Sequence, residues 1–364
     1  MNTRFAIRLS AALAFAAAAA PASAQLVPTV GFTTYGVLDA CVVNYQSATG
    51  PRWLLNGGGC YYGSRLGFRG AEDLGDGMRA YFLLEHGFTA DNGQVAQGGR
   101  FWGRRAIVGF SGGFGSLEAG REYAPAFYLI NQVDPMLTGI GSGLATIWSG
   151  SAGTASGRTD NSITYQSPSM AGVSVRVIVA PGEQAAPAAA RGGDTQGLGI
   201  TYRGEKLYAA LTYANVANAT KTGDDKATTL GVKYDFGPVV LAGIAQSGGW
   251  EGTRTAAAPS SASAIFSRSF KSYLVGGTWK LGLHSLAATF KRYDDRTVGD
   301  YDADVWTLTY VHVLSKRTQL YAGVTRLKNA RASTYGASDG NGAYTGVAPG
   351  GASRAIDLGI THFF

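Results

Sequence analysis

The 364-residue chain carries 53 Gly, 19 Tyr and 16 Phe against 4 Met, and 15% of its residues are charged; Gly and aromatic enrichment of this kind belongs to β-barrels and β-sandwiches. Mean hydropathy is neutral, and no apolar run beyond residue 24 approaches the roughly 20 residues of a membrane helix, which excludes an α-helical membrane bundle. The formal net charge of +7 comes from dispersed Lys and Arg rather than a stripe on one element, so no nucleic-acid interface is expected.

Residues 1–24 read as a secretory signal. Arg4 and Arg8 form a basic start, Leu9 to Ala20 is apolar, and Ala22-Ser23-Ala24 fits a cleavage site, leaving a mature domain of residues 25–364. The apolar run is too short for a membrane helix and is followed by Pro21. The first predicted strand runs from about Pro28 to Tyr45, with Val30, Phe32, Leu38, Ala40 and Val42 on one face and Tyr35, Val37 and Asp39 on the other. An exported chain meets an oxidising compartment, so a disulfide between Cys41 and Cys60 is chemically allowed. Regular strands would point the two to opposite faces, while the run Gly57-Gly58-Gly59 offers a break of register before Cys60. The pairing stays open at this level.

After a predicted loop over Gln46–Gly59, Ser64 to Gly87 reads as one β-hairpin around the turn Glu72 to Gly77. Leu66 and Phe68 alternate with Arg65, Gly67 and Arg69; Met78, Ala80, Phe82 and Leu84 alternate with Arg79, Tyr81, Leu83 and Glu85. Strict period two gives one apolar face and one charged face. A soluble sandwich would bury the first, whereas a membrane barrel would turn it to lipid and the charges to a wet lumen. Strands follow at Phe101–Ser111 and Ser116–Glu122, joined by the short turn Gly112-Gly113-Phe114-Gly115.

The rhythm stops from Tyr123 to Arg158. A connection this long with no structure of its own is uncommon and usually functional. Gly139, Gly141 and Gly143 permit tight bends there, and the stretch is expected to fold into the barrel. Alternation returns at Asn161–Gln166 and in Val173, Val175, Val177 and Val179 against Ser174, Arg176 and Ile178. Beyond this point short turns such as Arg203-Gly204-Glu205-Lys206 and Lys280-Leu281-Gly282 alternate with long connections such as Gly248–Arg268 and Asn329–Ala352. The count is sixteen strands, seven short turns and eight long loops. A sandwich has no reason to place every long loop at one end; a sixteen-stranded antiparallel transmembrane β-barrel does. Phe110, Tyr165, Tyr202, Tyr234, Phe236, Trp279 and Tyr310 share the short-turn end and one face, as an interfacial girdle would. The last strand, Arg354 to Phe364, must pair with the first, because an open edge in lipid is not tolerated.

Catalytic and metal chemistry is not expected. His86, His284, His312 and His362 are scattered and never at metal-ligand spacing. No phosphate loop or nucleophile elbow occurs. An outer-membrane barrel hydrolase would need Ser or Asp with His at one rim, and the adjacent pair His284 and Ser285 points to opposite faces of a strand. A soluble exported β-protein that binds a ligand is the third alternative.

The chain resembles the general porins of Gram-negative outer membranes, in the neisserial and β-proteobacterial branch. Tyr35-Gly36-Val37-Leu38-Asp39-Ala40 is similar to that family's first strand, and Ser64 to Gly75 to its most recognisable segment. Gly112-Gly113-Phe114-Gly115 with Gly120-Arg121-Glu122-Tyr123 resembles the entry to the pore loop, Asn161 to Tyr165 with Ser167-Pro168 the return strand, and Phe364 the terminal aromatic of its assembly signature. The resemblance implies a homotrimer in the outer membrane, in contact with lipid and lipopolysaccharide, assembled by machinery that reads the last strand, and without cofactor. It implies that the loop after strand five narrows the lumen, facing a basic wall of Arg65, Arg69, Arg79 and Arg121. Parity independently turns the first three inward, and of Arg104 and Arg105 one should face inward, with Arg105 the expected one. Two departures stand out: the pore loop usually carries several acids, whereas Ala124 to Gly157 contains only Asp134, and the last strand has Thr361 and Phe363 in place of basic residues. The expected function is a passive channel for small hydrophilic solutes. Inward Arg65, Arg69 and Arg79, before Arg105 and Arg121 are counted, stand against two wall acids, Asp39 and Glu85, and the single loop acid Asp134, which predicts a moderate anion preference.

Overall fold

The computed structural model describes residues 30–47, 50–137, 139–142, 148, 157–182, 193–217, 224–250, 269–296, 300–331, 333–337 and 347–364. The signal sequence, Pro28, Gly143 and much of 143–156 lie outside them, as do parts of the later long connections.

Strands run β1 Gly31–Ser47, β2 Gly50–Asn56, β3 Arg65–Gly75, β4 Met78–Gly87, β5 Arg105–Gly112 and β6 Gly115–Tyr123. They continue with β7 Arg158–Gln166, β8 Val173–Ala180, β9 Thr195–Arg203, β10 Leu207–Ala217, β11 Asp224–Asp235 and β12 Val239–Trp250. The series ends with β13 Ser269–Leu281, β14 His284–Asp295, β15 Ala303–Val313, β16 Thr318–Asn329 and β17 Ala352–Phe363. All pairings are antiparallel; each joins chain neighbours except β1 with β3 and the closure of β1 on β17, from Val37↔Phe363 to Gln46↔Arg354.

The short strand β2 lies in the stretch expected to be a loop. It pairs with the upper part of β1, Cys41 to Ser47, while β3 pairs with the lower part, Gly31 to Val37. Thus β2 and β3 share one position in the wall, and the barrel has sixteen. The strand counted fifth from the sequence is therefore β6.

Side-chain alternation sorts the two faces. Phe32 is 66% exposed and Val42 47%, whereas Val43, one residue on, is fully buried. Phe110, Tyr202, Tyr234, Phe236, Trp279 and Tyr310 are exposed at the short-turn end, and the Tyr165 hydroxyl there donates to the Phe114 carbonyl at 2.8 Å. Rings at that height suit an interface that is apolar on one side and wet on the other.

The lumen is partly filled by chain from the β6–β7 connection. Pro125–Val133 forms helix α1, with Pro at its start and the Asp134 N–H closing on the Ile130 carbonyl. No helix was expected here. The segment buries Ala126, Phe127, Leu129, Ile130 and Val133 and leaves Tyr128, Asn131 and Gln132 on its other side, an amphipathic period confined to nine residues within an otherwise irregular stretch. It packs on the inner face of β9–β12, where a Cβ on Gly231 would lie 2.5 Å from Leu129 and one on Gly197 3.2 Å from Pro125. The following turn, Ile140–Ser142, rests against Thr307 of β15, and its Ile140 N–H donates to the Cys60 carbonyl at 2.8 Å.

The seam is completed by the C-terminal residue. Gly36 and Phe364 exchange two backbone hydrogen bonds, at 2.9 and 3.1 Å, and a Cβ on Gly36 would lie 2.2 Å from the Phe364 ring. Gly36→Val should displace that ring at a cost of about 1–3 kcal/mol, the usual scale for overpacking. A lowered temperature for loss of the compact band on an unboiled detergent gel is the expected readout, with Leu38→Val on the lipid face as the neutral control.

Candidate functional site

The wall from β3 to β8 presents a continuous set of charges to the lumen. Register places Glu85 of β4 opposite Arg105 of β5, Glu118 of β6 opposite Gly109, and Arg176 of β8 opposite Gln166. Arg104 Nε meets Glu85 Oε1 at 2.6 Å, Arg105 pairs with Glu122, and Arg176 Nη2 lies 3.2 Å from Glu118 and 3.5 Å from Glu122. Each glutamate also accepts a phenol: Tyr35 O–H on Glu85 at 2.9 Å, Tyr81 on Glu118 at 2.9 Å and Tyr128 of α1 on Glu122 at 2.8 Å. Arg158 lies over the Tyr123 ring at 4.7 Å, and Arg65 Nε donates to the Gly63 carbonyl at 2.9 Å. Five guanidiniums (Arg65, Arg104, Arg105, Arg158 and Arg176) thus stand with three carboxylates, leaving the wall positive.

Both Arg104 and Arg105 turn inward, where one was expected. Arg104 precedes β5 and is outside the pleat, so strand parity does not govern it. Arg69 shares the inner face but lies nearer the short turns, its guanidinium 5.2 Å from the Tyr35 ring centre. Arg79 is exposed close to the β3–β4 turn, in register with Asp73 and away from the Glu85 cluster. Arg121 leaves the expected wall. The register shifts between Gly120 and Glu122, Glu122 takes the inward place, and Arg121 instead pairs with Asp160, which also holds Arg100 at 2.5 Å.

Of the three acids expected to face the lumen, two are covered. Asp39 is fully buried and accepts the Tyr321 hydroxyl at 2.5 Å and the N–H groups of Tyr61 and Tyr62, so it fastens the return of the first loop. Asp134, at the end of α1, is buried against Lys291 of β14 at 3.3 Å and accepts the Met136 N–H at 2.9 Å. Lys291 Nζ also donates to the Gly141 carbonyl and to Thr289 Oγ1. Burial pushes the Asp134 carboxyl up to about 6, against the opposing pull of Lys291. The loop's acid therefore docks the loop on β14 and does not oppose the arginines.

Cys41 and Cys60 form a disulfide. Cys60 lies in no strand and follows Gly59 at φ +99°, so the parity that would separate the two does not apply. His284 and His312 are cross-strand neighbours with Nδ1 atoms 3.1 Å apart, a proximity invisible in their spacing of 28 residues. Tyr310 O–H approaches His284 Nδ1 at 2.5 Å, and Ser285 takes no part. Sequence reasoning missed Arg158, Arg176, Glu118, Glu122 and Lys291 as site residues. Arg176 and Glu118 were legible from inward parity, whereas Lys291 gave no signal without its loop partner.

A closed barrel of sixteen strand positions, apolar outside and charged within, defines a membrane-spanning channel. The chain belongs to the Gram-negative porin family, whose model matches residues 10–332, and it is an outer-membrane channel protein. It is 33% identical to outer membrane porin protein 32 of Delftia acidovorans, over 97% of this chain and 98% of that protein. An outer membrane porin protein of Bordetella pertussis is 33% identical over 84% of this chain and 83% of its own length. Among solved structures, the anion-selective porin from Comamonas acidovorans superposes with a TM-score of 0.79 at 30% identity, covering 92% of this chain and 99% of that one.

Lys291→Met would leave the Asp134 carboxylate buried without its cation, a loss of about 3–5 kcal/mol for a broken buried pair. Faster amide hydrogen exchange at residues 134–142 is expected, with the barrel's compact gel band retained. Asp134→Asn combined with Lys291→Met should recover most of the protection, since both charges are then gone.

Proposed function

We propose that the chain, exported under a removable signal at residues 1–24, forms a water-filled passive channel for small hydrophilic solutes and ions with a moderate preference for anions. The observation that carries the preference is the excess of guanidinium over carboxylate on the β3–β8 wall, with the Asp134 charge taken up by Lys291. Fixed positive groups in a narrow, weakly screened lumen supply the potential that an entering anion loses on shedding water. The anion selectivity named for the Comamonas relative supports the same reading. Residues 123–158 would set the width of the lumen. Three copies would assemble, with the apolar outer face of β1 available for packing, the remaining outer surface in lipid and lipopolysaccharide, and Phe364 read by the assembly machinery. No enzymatic role is proposed.

In a planar bilayer under a KCl gradient, the reversal potential should have the sign of chloride preference, most clearly at low salt. Arg65→Glu should reduce or invert it. Arg79→Glu should act less, because Arg79 stands at an exposed rim where charge is screened within roughly 8 Å at physiological salt. Cation preference in the unaltered protein, or equal effects of the two substitutions, would refute this placement of selectivity. Trimers should run as a large band without heating and as monomers after boiling.

A further inference from the structure

The tip of the loop between β6 and β7 has a second attachment besides Lys291. The Ile140 N–H donates to the Cys60 carbonyl at 2.8 Å, and the Tyr61 hydroxyl donates to the Pro135 carbonyl at 3.2 Å. Backbone meets backbone here. A Cβ on Gly139 would lie 2.0 Å from the Cys60 carbonyl oxygen and 2.7 Å from the Tyr61 Cα, so the approach requires glycine. Ile140 is buried in one apolar cluster with Cys41, Cys60 and Tyr321.

Residues 57–64, which supply these contacts, belong to no strand and connect β2 to β3. Their position is imposed from β1. The disulfide ties Cys60 to Cys41, with Cα atoms 6.1 Å apart. Two residues before Cys41, the Asp39 carboxylate accepts the N–H of Tyr61 at 3.2 Å and the N–H of Tyr62. Ser64 Oγ accepts the Asp39 N–H at 3.0 Å and donates to the Gly57 carbonyl at 2.8 Å. The Tyr61 ring rests on Tyr321 of β16, with centroids 5.5 Å apart. Hydrogen bonds in a segment without ladder partners open locally, whereas an S–S bond holds Cys60 within two side-chain lengths of β1 at all times. The chain has two cysteines, and both are used at this joint.

We propose that residues 60–62 form a clamp for the tip of the pore loop, and that the Cys41–Cys60 disulfide is its positioning group, holding the constriction at one width. The proposal rests on the reading above that residues 123–158 set that width. Lys291 holds Asp134 and the Gly141 carbonyl, on either side of the clamped stretch. It cancels the loop's charge and leaves residues 135–140 to Cys60 and Tyr61. Without the disulfide the Cys60 carbonyl would move with its own segment, and the tip would sample several positions in the lumen. Current follows the narrowest cross-section, so it would fluctuate with the tip.

The test compares the folded, oxidised full-length protein with the double variant Cys41→Ala, Cys60→Ala. Amide hydrogen exchange at Ile140 should rise roughly tenfold, the scale of one hydrogen bond's net contribution. Single-channel records in KCl should show added open-channel noise with sublevels. Gly139→Ala keeps the disulfide but parts the tip from the Cys60 carbonyl, and it should give the same two signs. Gly36→Val weakens the barrel seam away from the loop and should change neither, which separates a clamp from general stabilisation by a disulfide. Unchanged exchange and noise in a double variant that keeps its compact gel band would overturn the proposal. If that variant gives no compact band, Gly139→Ala decides, and unchanged exchange at Ile140 there would overturn it equally. Faster exchange with an unaltered current would instead refute the reading that the tip narrows the lumen, and an inserted, folded protein that never conducts would refute the channel reading itself.

Discussion

The structure depends on one constraint, that no backbone N–H or C=O is left unpaired against hydrocarbon. A sheet meets it only by closing on itself, so the pairing of β1 with β17 governs everything else. Closure fixes the parity of every strand at once: a slip of one residue at the seam would turn Asp39 and Asp357 to lipid and Leu38 and Leu358 to water. The Phe364 ring over Gly36 adds a side-chain lock at the short-turn end of the same seam. Aromatic cover of a cross-strand glycine recurs on the inner wall, where Tyr35 lies over Gly67 and Tyr321 over Gly359. Each such ring lies flat along the wall and fills the gap a glycine leaves in the sheet.

Inside the barrel the governing quantity is desolvation. Glu122 has no exposed surface, and such a carboxylate is tolerated only with several partners. It has them in Arg105, Arg176, the Tyr123 N–H and the Tyr128 hydroxyl. The Tyr128 contact comes from α1, so the loop helix is joined electrostatically to the wall it faces as well as sterically to β9–β12. Guanidinium suits this role because its planar fork can serve two carboxylates and an aromatic face together, as Arg176 does with Glu118, Glu122 and the Tyr128 ring at 4.8 Å. A lysine in its place would supply the charge without that geometry.

Much of this architecture was legible in the sequence, because the signals are local. Period-two alternation located the strands and gave the inward faces of Arg65, Arg69, Arg79 and Glu85, and the turn lengths gave the polarity of the barrel. Three kinds of feature were not legible. Helix α1 is amphipathic but only nine residues long, too short for its period to stand out from the irregular stretch around it. The bulge at Gly120 moved Arg121 out of the wall and Glu122 into it, and a single inserted residue leaves no trace in period-two alternation. Contacts across the lumen, Asp134 with Lys291 and Tyr61 and Tyr62 with Asp39, join residues whose separation carries no information until the barrel is closed.

Those contacts across the lumen change what the charge inventory means. Counted along the chain, Asp39, Glu85 and Asp134 match Arg65, Arg69 and Arg79 one for one. Counted in space, Asp39 is sealed beneath the first loop and Asp134 is cancelled by Lys291, so neither contributes to the field met by a solute. Glu85, Glu118 and Glu122 remain, but each is held by a guanidinium and hydrogen-bonded by a phenol, which fixes the arginines in place without neutralising all five. The acids thus act as positioning groups for a rigid positive surface. Rigidity matters because a preorganised array keeps its potential as an anion arrives, whereas free side chains would first have to be ordered. The same logic separates the two halves of the lumen: the β3–β8 half carries the fixed field, and the β9–β16 half carries the docked loop, whose own charge has been spent on attachment.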